Sequence, residues 1–307
     1  MRDIMNRKKI RIISVPIDLG ASLQGASGGP SALRIANLTE SLQRIGYSVS
    51  AEVIVNVPIR KKYYDHLSTK MNYRREILSV CQRLALLTKK SLEDDEIPLI
   101  VGGDHSIAMG SVSGVSEYYR NSNIGLVWFD AHGDMNTPST SPSGNVHGMP
   151  LSHLLGQGDR EFCSIFSERQ KVQAENVAIV GVRDMDCKEK ILVRDSGVSV
   201  FTMSDIDRMG MEEVSNEVIR IVTKNTIGFH VSFDVDGCDP VAMPGTGTKV
   251  PGGVTYRESH HLLEKLARTQ KITSMDMVEI NPFLDEGNVT AERAVSLIQS
   301  AFGLTLL

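Results

Sequence analysis

Along almost the whole chain, apolar runs of strand length alternate with segments of helical period. The runs at 10–15, 48–55, 97–101, 124–129, 176–180, 198–201, 227–233 and 272–278 are predicted as strands. Helices are predicted between them at 30–45, 73–92, 106–119, 150–155, 188–195, 204–223 and 256–268, and a last one at 290–302. Pro30 and Ser31 open the first helix, and Ser204 stands as the cap before the 206–223 period. Strand–helix alternation of this kind predicts the α/β class, with a parallel sheet of about eight strands. The strands are nearly continuous in apolar character, so both faces of the sheet are predicted to carry helices. No polar linker interrupts the pattern, and residues 1–307 are read as one domain.

Three of the strands run into polar clusters at their carboxyl ends. The 97–101 run ends in Gly102-Gly-Asp-His105, the 124–129 run in Asp130-Ala-His-Gly-Asp134, and the 227–233 run in Asp234-Val-Asp236. In a parallel sheet, ligands bind outside the carboxyl ends of the strands. Asp130, His132 and Asp134 fall at a period of two, so a strand continuing into its loop would point all three to one side. Any single Asp or His after a strand is ordinarily a cap or turn residue. The same chemistry at three strand ends points instead to a divalent metal with oxygen and nitrogen ligands. His105, Asp130, His132, Asp134, Asp234 and Asp236 are too many for one ion and suit two ions sharing carboxylates. Without a cysteine ligand set, a closed structural zinc site is disfavoured. Two long glycine-rich loops, 131–148 and 235–254, leave the same edge.

Composition narrows the field further. Of 307 residues, 41% are hydrophobic and 23% charged, as in a globular protein, and the net charge of −4 comes without a basic block. Nucleic acid is therefore not an expected partner. The basic stretch 1–9 lacks the apolar region of a signal peptide, and no run reaches the length of a membrane span. Cys81, Cys163, Cys187 and Cys238 form no CxxC pair and fit free thiols in a reducing compartment, so a cytoplasmic location is expected. The pair His260-His261 lies on a predicted helix and reads as surface, and 245–253 lacks the strand–GxGxxG–helix order of a dinucleotide site.

With these residues in place, the chain resembles the ureohydrolases, and among them the arginases. The resemblance covers nearly the whole chain. It is carried by Gly102-Gly-Asp-His-Ser106, Asp130-Ala-His-Gly-Asp-Met-Asn-Thr-Pro138, Ser143-Gly-Asn-Val-His-Gly-Met-Pro150, Ser232-Phe-Asp-Val-Asp-Gly-Cys-Asp-Pro240 and Met275-Asp-Met-Val-Glu-Ile-Asn-Pro282. Pro16-Ile-Asp-Leu-Gly20 and Gly28-Gly-Pro-Ser-Ala-Leu-Arg34 add to it. The resemblance implies two Mn²⁺ ions per subunit and hydrolysis of L-arginine to L-ornithine and urea by a metal-bridging hydroxide. It also implies trimers or hexamers. One ion would take His105, Asp130, Asp134 and Asp234, and the other Asp130, His132, Asp234 and Asp236, with Asp130 and Asp234 bridging. The chain departs from the usual pattern at Lys249 and Cys187, where proline is common.

Roles for other residues follow from this reading. Asp134 can carry a proton to the leaving amine, and His147 can shuttle protons to bulk water, although alone it reads as a loop histidine. Glu279 can accept guanidinium N–H groups, or pair with a nearby arginine. Asn136, Thr137, Ser143 and Asn145 supply neutral donors for an α-carboxylate, with Thr248 also at the substrate edge. Asp186 and Glu189 supply charge for an α-ammonium, or simply charge the first turn of the helix at Lys188. Three other readings compete. An agmatinase, guanidinobutyrase or formimidoylglutamase would share the metal site. A two-metal phosphatase or amidohydrolase is disfavoured because no Lys or Arg lies between Asp130 and Pro150. A non-catalytic metal-binding protein would not need His147.

Overall fold

The computed structural model describes residues 9–60 and 70–305, so most of the basic 1–9 stretch lies outside the described residues. Among the described residues, nine strands form one parallel sheet: β1 Lys9–Val15, β2 Ser48–Val49, β3 Val53–Ile54, β4 Glu96–Gly102, β5 Asn123–Phe129, β6 Val177–Val182, β7 Ser199–Thr202, β8 Thr226–Asp234 and β9 Ile272–Val278. Their order is β2-β1-β4-β9-β8-β5-β6-β7, with β3 also paired to β1. Every pairing is parallel.

Burial explains why the sheet sits between two layers. The last six residues of β5 and all six of β6 are buried, so neither face is left to water. Adjacent residues serve opposite faces, as the pleat requires. Ile12, Leu99, Val127 and Phe129 pack with α1 Gly29–Ile35, α2 Leu38–Arg44, α8 Met203–Val222, α9 Tyr256–Arg268 and α10 Val289–Ala301. Ile13, Ile100, Leu126 and Trp128 face the other layer, made of α3 Arg74–Glu93, α4 Ala108–Tyr118, α5 Pro150–Leu154, α6 Arg160–Cys163 and α7 Cys187–Ser196.

Local chemistry breaks three of the expected elements. The helix expected at 30–45 is two helices, because Asn37 takes a left-handed conformation (φ 58°) between α1 and α2. The strand expected at 48–55 is two short pairings against β1. The helix expected from Ser204 is capped instead by Thr202, whose hydroxyl accepts from Asp205 N while the Asp205 carboxylate accepts from Thr202 N. Gly210 (φ 77°, ψ 152°) then interrupts that helix. The four-residue α6 is too short to leave a periodic signal.

Candidate metal centre

Four adjacent strands in the middle of the sheet, β4-β9-β8-β5, deliver the candidate residues. β4 ends at Gly102, and Gly103 is pressed against the chain that leaves β1. A Cβ there would lie 1.7 Å from the Ile17 carbonyl oxygen, so only glycine fits. The close approach lets Asp104 N donate to Ile17 O at 2.9 Å and starts the turn His105–Ile107. Glu279 follows β9 in a left-handed conformation (φ 65°) and accepts the His105 backbone N–H at 2.9 Å.

The six predicted ligands converge, but not by strand alternation. β5 stops at Phe129, and Asp134 is turned by a left-handed backbone (φ 50°). The period-of-two expectation is therefore corrected: loop geometry, not pleat, gathers the three side chains. His105 Nδ1 faces Asp130 Oδ2 at 3.1 Å, Asp134 Oδ2 at 3.2 Å and Asp234 Oδ2 at 3.2 Å. His132 Nδ1 faces Asp130 Oδ1 and Asp236 Oδ2, each at 3.2 Å. Asp130 thus turns one oxygen to each imidazole, and two candidate ligand groups share it: His105, Asp130, Asp234 and Asp130, His132, Asp236. Asp234 belongs to the first group, and its Oδ1 accepts from Asp236 N at 2.8 Å.

These donors fit divalent cations. His105 Nδ1 is buried and makes no hydrogen bond. Ligand atoms on one edge of an octahedron with bonds of about 2.2 Å lie about 3.1 Å apart, close to the spacings around His105 and His132. Electrostatics point the same way. Burial and the Asp130 charge push Asp134 up to about 6. Burial, with Asp236 and Asp130 nearby, raises Asp234 far above the usual carboxylate range, and burial with Asp130 raises Asp236. Burial opposes a charged His105, yet its three carboxylates raise it well above an ordinary imidazole. Four buried carboxylates repel one another, and among the described residues no Lys or Arg side chain lines the cavity that would relieve them.

That cavity, of about 290 Å³, opens over the cluster. This is the lower end of the range for small-molecule pockets. His132, Asp134, Asp234 and Asp236 form its floor, and Asn136, Ser143, Asn145, His147, Asp186, Glu189 and Thr248 line it. His105, Asp130, Thr137 and Glu279 are not part of the wall. His147 Nδ1 lies 3.0 Å from Glu279 Oε1. Burial works against a charged His147, but the charge and hydrogen bond of Glu279, then Asp104 and Asp134, raise it to about 9. Asn136 Nδ2 donates to Asp186 Oδ2 at 2.8 Å, and Asn145 Nδ2 donates to Ser22 Oγ at 2.9 Å. Thr137 Oγ1 is bonded to Ser139 and Thr140. Asp186 also caps α7, accepting from Lys188 N and Glu189 N. Glu189 turns inward, accepts from Met135 N at 2.9 Å, and is pushed up to about 8, chiefly by burial. Thr248 Oγ1 donates to Asp236 Oδ2 at 2.6 Å. Cys187 and Lys249 are exposed. His260 bonds Ser300 and His261 bonds Glu212, away from the cluster.

Sequence reasoning missed several supporting residues. Trp128 stacks on the His105 ring (centroids 4.1 Å apart) and donates to Asp130 Oδ2 at 3.1 Å. Arg183 donates to the carbonyls of Gly181, Asp236, Gly237, Cys238 and Val250, and so ties down the loop after β8. Asp276 was readable as an acid inside an apolar run. Trp128 and Arg183 left no such mark.

Comparisons with known proteins identify the family the chain is similar to. The family model described as "Arginase family" matches residues 8–303. An arginase of Staphylococcus aureus is 44% identical over 307 residues, covering 99% of this chain and all of its own. The crystal structure of arginase from Bacillus cereus superposes with a TM-score of 0.91 at 43% identity, covering 98% of this chain and all of that one. The Entamoeba histolytica arginase solved in complex with L-ornithine gives a TM-score of 0.90 at 33% identity, with the same coverage.

Proposed function

The chain belongs to the arginase family of hydrolases acting on guanidino groups, and from that premise we propose that it hydrolyses L-arginine to L-ornithine and urea, using two Mn²⁺ ions. The observation that carries this reading is the pair of carboxylate–imidazole groups sharing Asp130 beneath an acidic cavity. His105, Asp130, Asp134 and Asp234 would hold one ion, and Asp130, His132, Asp234 and Asp236 the other. When bound, such ions lower the pKa of water toward neutrality and offset the carboxylates.

The side chains do the rest. Asp134 Oδ1, the oxygen not turned to His105, takes a proton from the attacking water and passes it to the leaving amine. Glu279 holds His147 through Oε1 from behind the cavity wall, and its Oε2 would take a guanidinium N–H only where the substrate reaches past that wall. His147 Nε2 exchanges protons with solvent between turnovers. Asp186 and Glu189 attract the α-ammonium, while Asn136, Thr137, Ser143 and Asn145 serve the α-carboxylate. Asn136 and Asn145 must then release Asp186 and Ser22 when substrate arrives. A wall with no Lys or Arg among the described residues favours a cation and disfavours a phosphoryl group. The L-ornithine in the Entamoeba histolytica relative supports an amino-acid substrate. No described helix is long and apolar enough to cross a membrane. A cytoplasmic, homo-oligomeric enzyme is the corresponding proposal.

The test is urea release by the purified protein with added Mn²⁺, from L-arginine and from agmatine in parallel. Arginine should be much the better substrate. Equal or better turnover of agmatine would transfer the reading to another ureohydrolase, and no urea from either would refute it.

A further inference from the structure

Asp276 lies in the interior of β9 with no exposed surface. Its register partners are Ile100 on β4 and Ser232 on β8. A carboxylate in the middle of a sheet is costly unless its partners compensate it, and Asp276 does not line the cavity. Its Oδ2 accepts from Ser111 Oγ at 2.6 Å and, more weakly, from Ser232 Oγ at 3.4 Å. His230 Nε2 stands 3.0 Å from the same oxygen, and His230 Nδ1 lies 2.7 Å from Ser274 Oγ.

The path toward the candidate metal centre runs through Ser232. Its Oγ is 2.9 Å from His105 Nε2, the ring nitrogen that does not face the carboxylates. A serine hydroxyl has one proton to give. When it gives that proton to Asp276, its oxygen can only accept from His105. In the neutral ring Nε2 must then carry the hydrogen, which leaves the Nδ1 lone pair for a divalent ion held among Asp130, Asp134 and Asp234. Trp128 holds the plane of the ring. An asparagine at 276 could instead donate to Ser232 and release the tautomer.

We propose that Asp276 is a positioning residue for a divalent ion at His105, acting through the Ser232 hydroxyl to fix the tautomer of that imidazole. This rests on the metal reading above. The test follows Mn²⁺ binding by electron paramagnetic resonance of the free ion, with thermal unfolding of the metal-free proteins alongside. Wild type should bind two ions. Asp276→Asn and Ser232→Ala should each weaken one of the two by about 10–100-fold and leave the other, as is usual for partners of a ligating histidine. The double variant should be no worse than either single one. Ser111→Ala also loses a bond to Asp276 but does not reach His105, so it should keep both affinities. Unchanged affinities in Asp276→Asn and Ser232→Ala would overturn the proposal, and so would an equal loss in Ser111→Ala, the mark of general loosening. Should Asp276→Asn fail to fold, Ser232→Ala decides alone. A wild type that takes up no Mn²⁺ refutes the metal reading itself, and the inference falls with it.

Discussion

Replacing His147 by Asn gives the sharpest test of the proposed chemistry. The asparagine keeps an N–H donor for buried Glu279, so the fold should survive. What it removes is a group that can titrate. General acid–base help is worth about 10²-fold here, or about 2.7 kcal/mol of barrier. The structure sets when that help operates. With His147 raised to about 9, only about 3% of it is neutral at pH 7.5. A group that must accept a proton from the site then works at a small fraction of capacity. The deficit of the variant should therefore be only about threefold at pH 7.5 and grow toward about a hundredfold above pH 9. Positive ions at Asp134 would move this rise to lower pH without removing it. The assay is urea release at saturating L-arginine from pH 7 to 10, with metal content measured on the same samples. Added imidazole should restore part of the rate at high pH. A deficit that does not change with pH would refute the acceptor role, and lost Mn²⁺ would make His147 a support of the metal.

Asn136→Ala and Asn145→Ala should each raise KM for arginine and spare agmatine, since a lost bond to a carboxylate costs about 1.5–3 kcal/mol; equal losses for both substrates, read from steady-state kinetics, would defeat the assignment. Glu96 is buried beside Arg11, Lys9 and Ser50, and although burial opposes its charge, these partners hold it at about 2. Its stabilisation is full above about pH 4.5 and lost as pH falls toward 2, so Glu96→Gln should lose about 1–3 kcal/mol at neutral pH and much less at pH 3; denaturant unfolding showing the same gap at both would contradict this. Gly103→Ala places a methyl group against the Ile17 carbonyl, which cannot swing away, and should cost about 1–3 kcal/mol or more. A Tm within a degree of wild type would show that the β1–β4 junction is looser than described.

Legibility in the sequence followed the range of the forces involved. β9 and α9 match their predicted limits because apolar period and capping act within a few residues. The break at Asn37 was hidden because one left-handed residue barely disturbs an amphipathic pattern. The candidate ligands were visible because acids and histidines at the ends of apolar strands are chemically conspicuous. How they meet was not: the turn at Asp134 and the bond from His105 N to Glu279 join segments more than a hundred residues apart or depend on one backbone angle. Pairings such as Asn136 with Asp186 were equally hidden, since each residue alone reads as an ordinary turn or cap former.

The strand order has a consequence for assembly of the chain. β4 and β5 are consecutive in sequence, yet β9 and β8 lie between them. As the polypeptide is made, two partial sheets, β1 to β4 and β5 to β7, can form early. Each then carries an open edge at the place where the middle strands belong, and direct pairing of β4 with β5 is the nearest wrong product. Only the arrival of the last third of the chain closes that gap. Closure of this kind depends on long-range contacts and is slow. Because the cavity lies over the four strands that meet there, the candidate site cannot be complete before that gap closes, and the refolding protein should recover secondary structure well before it recovers any urea release.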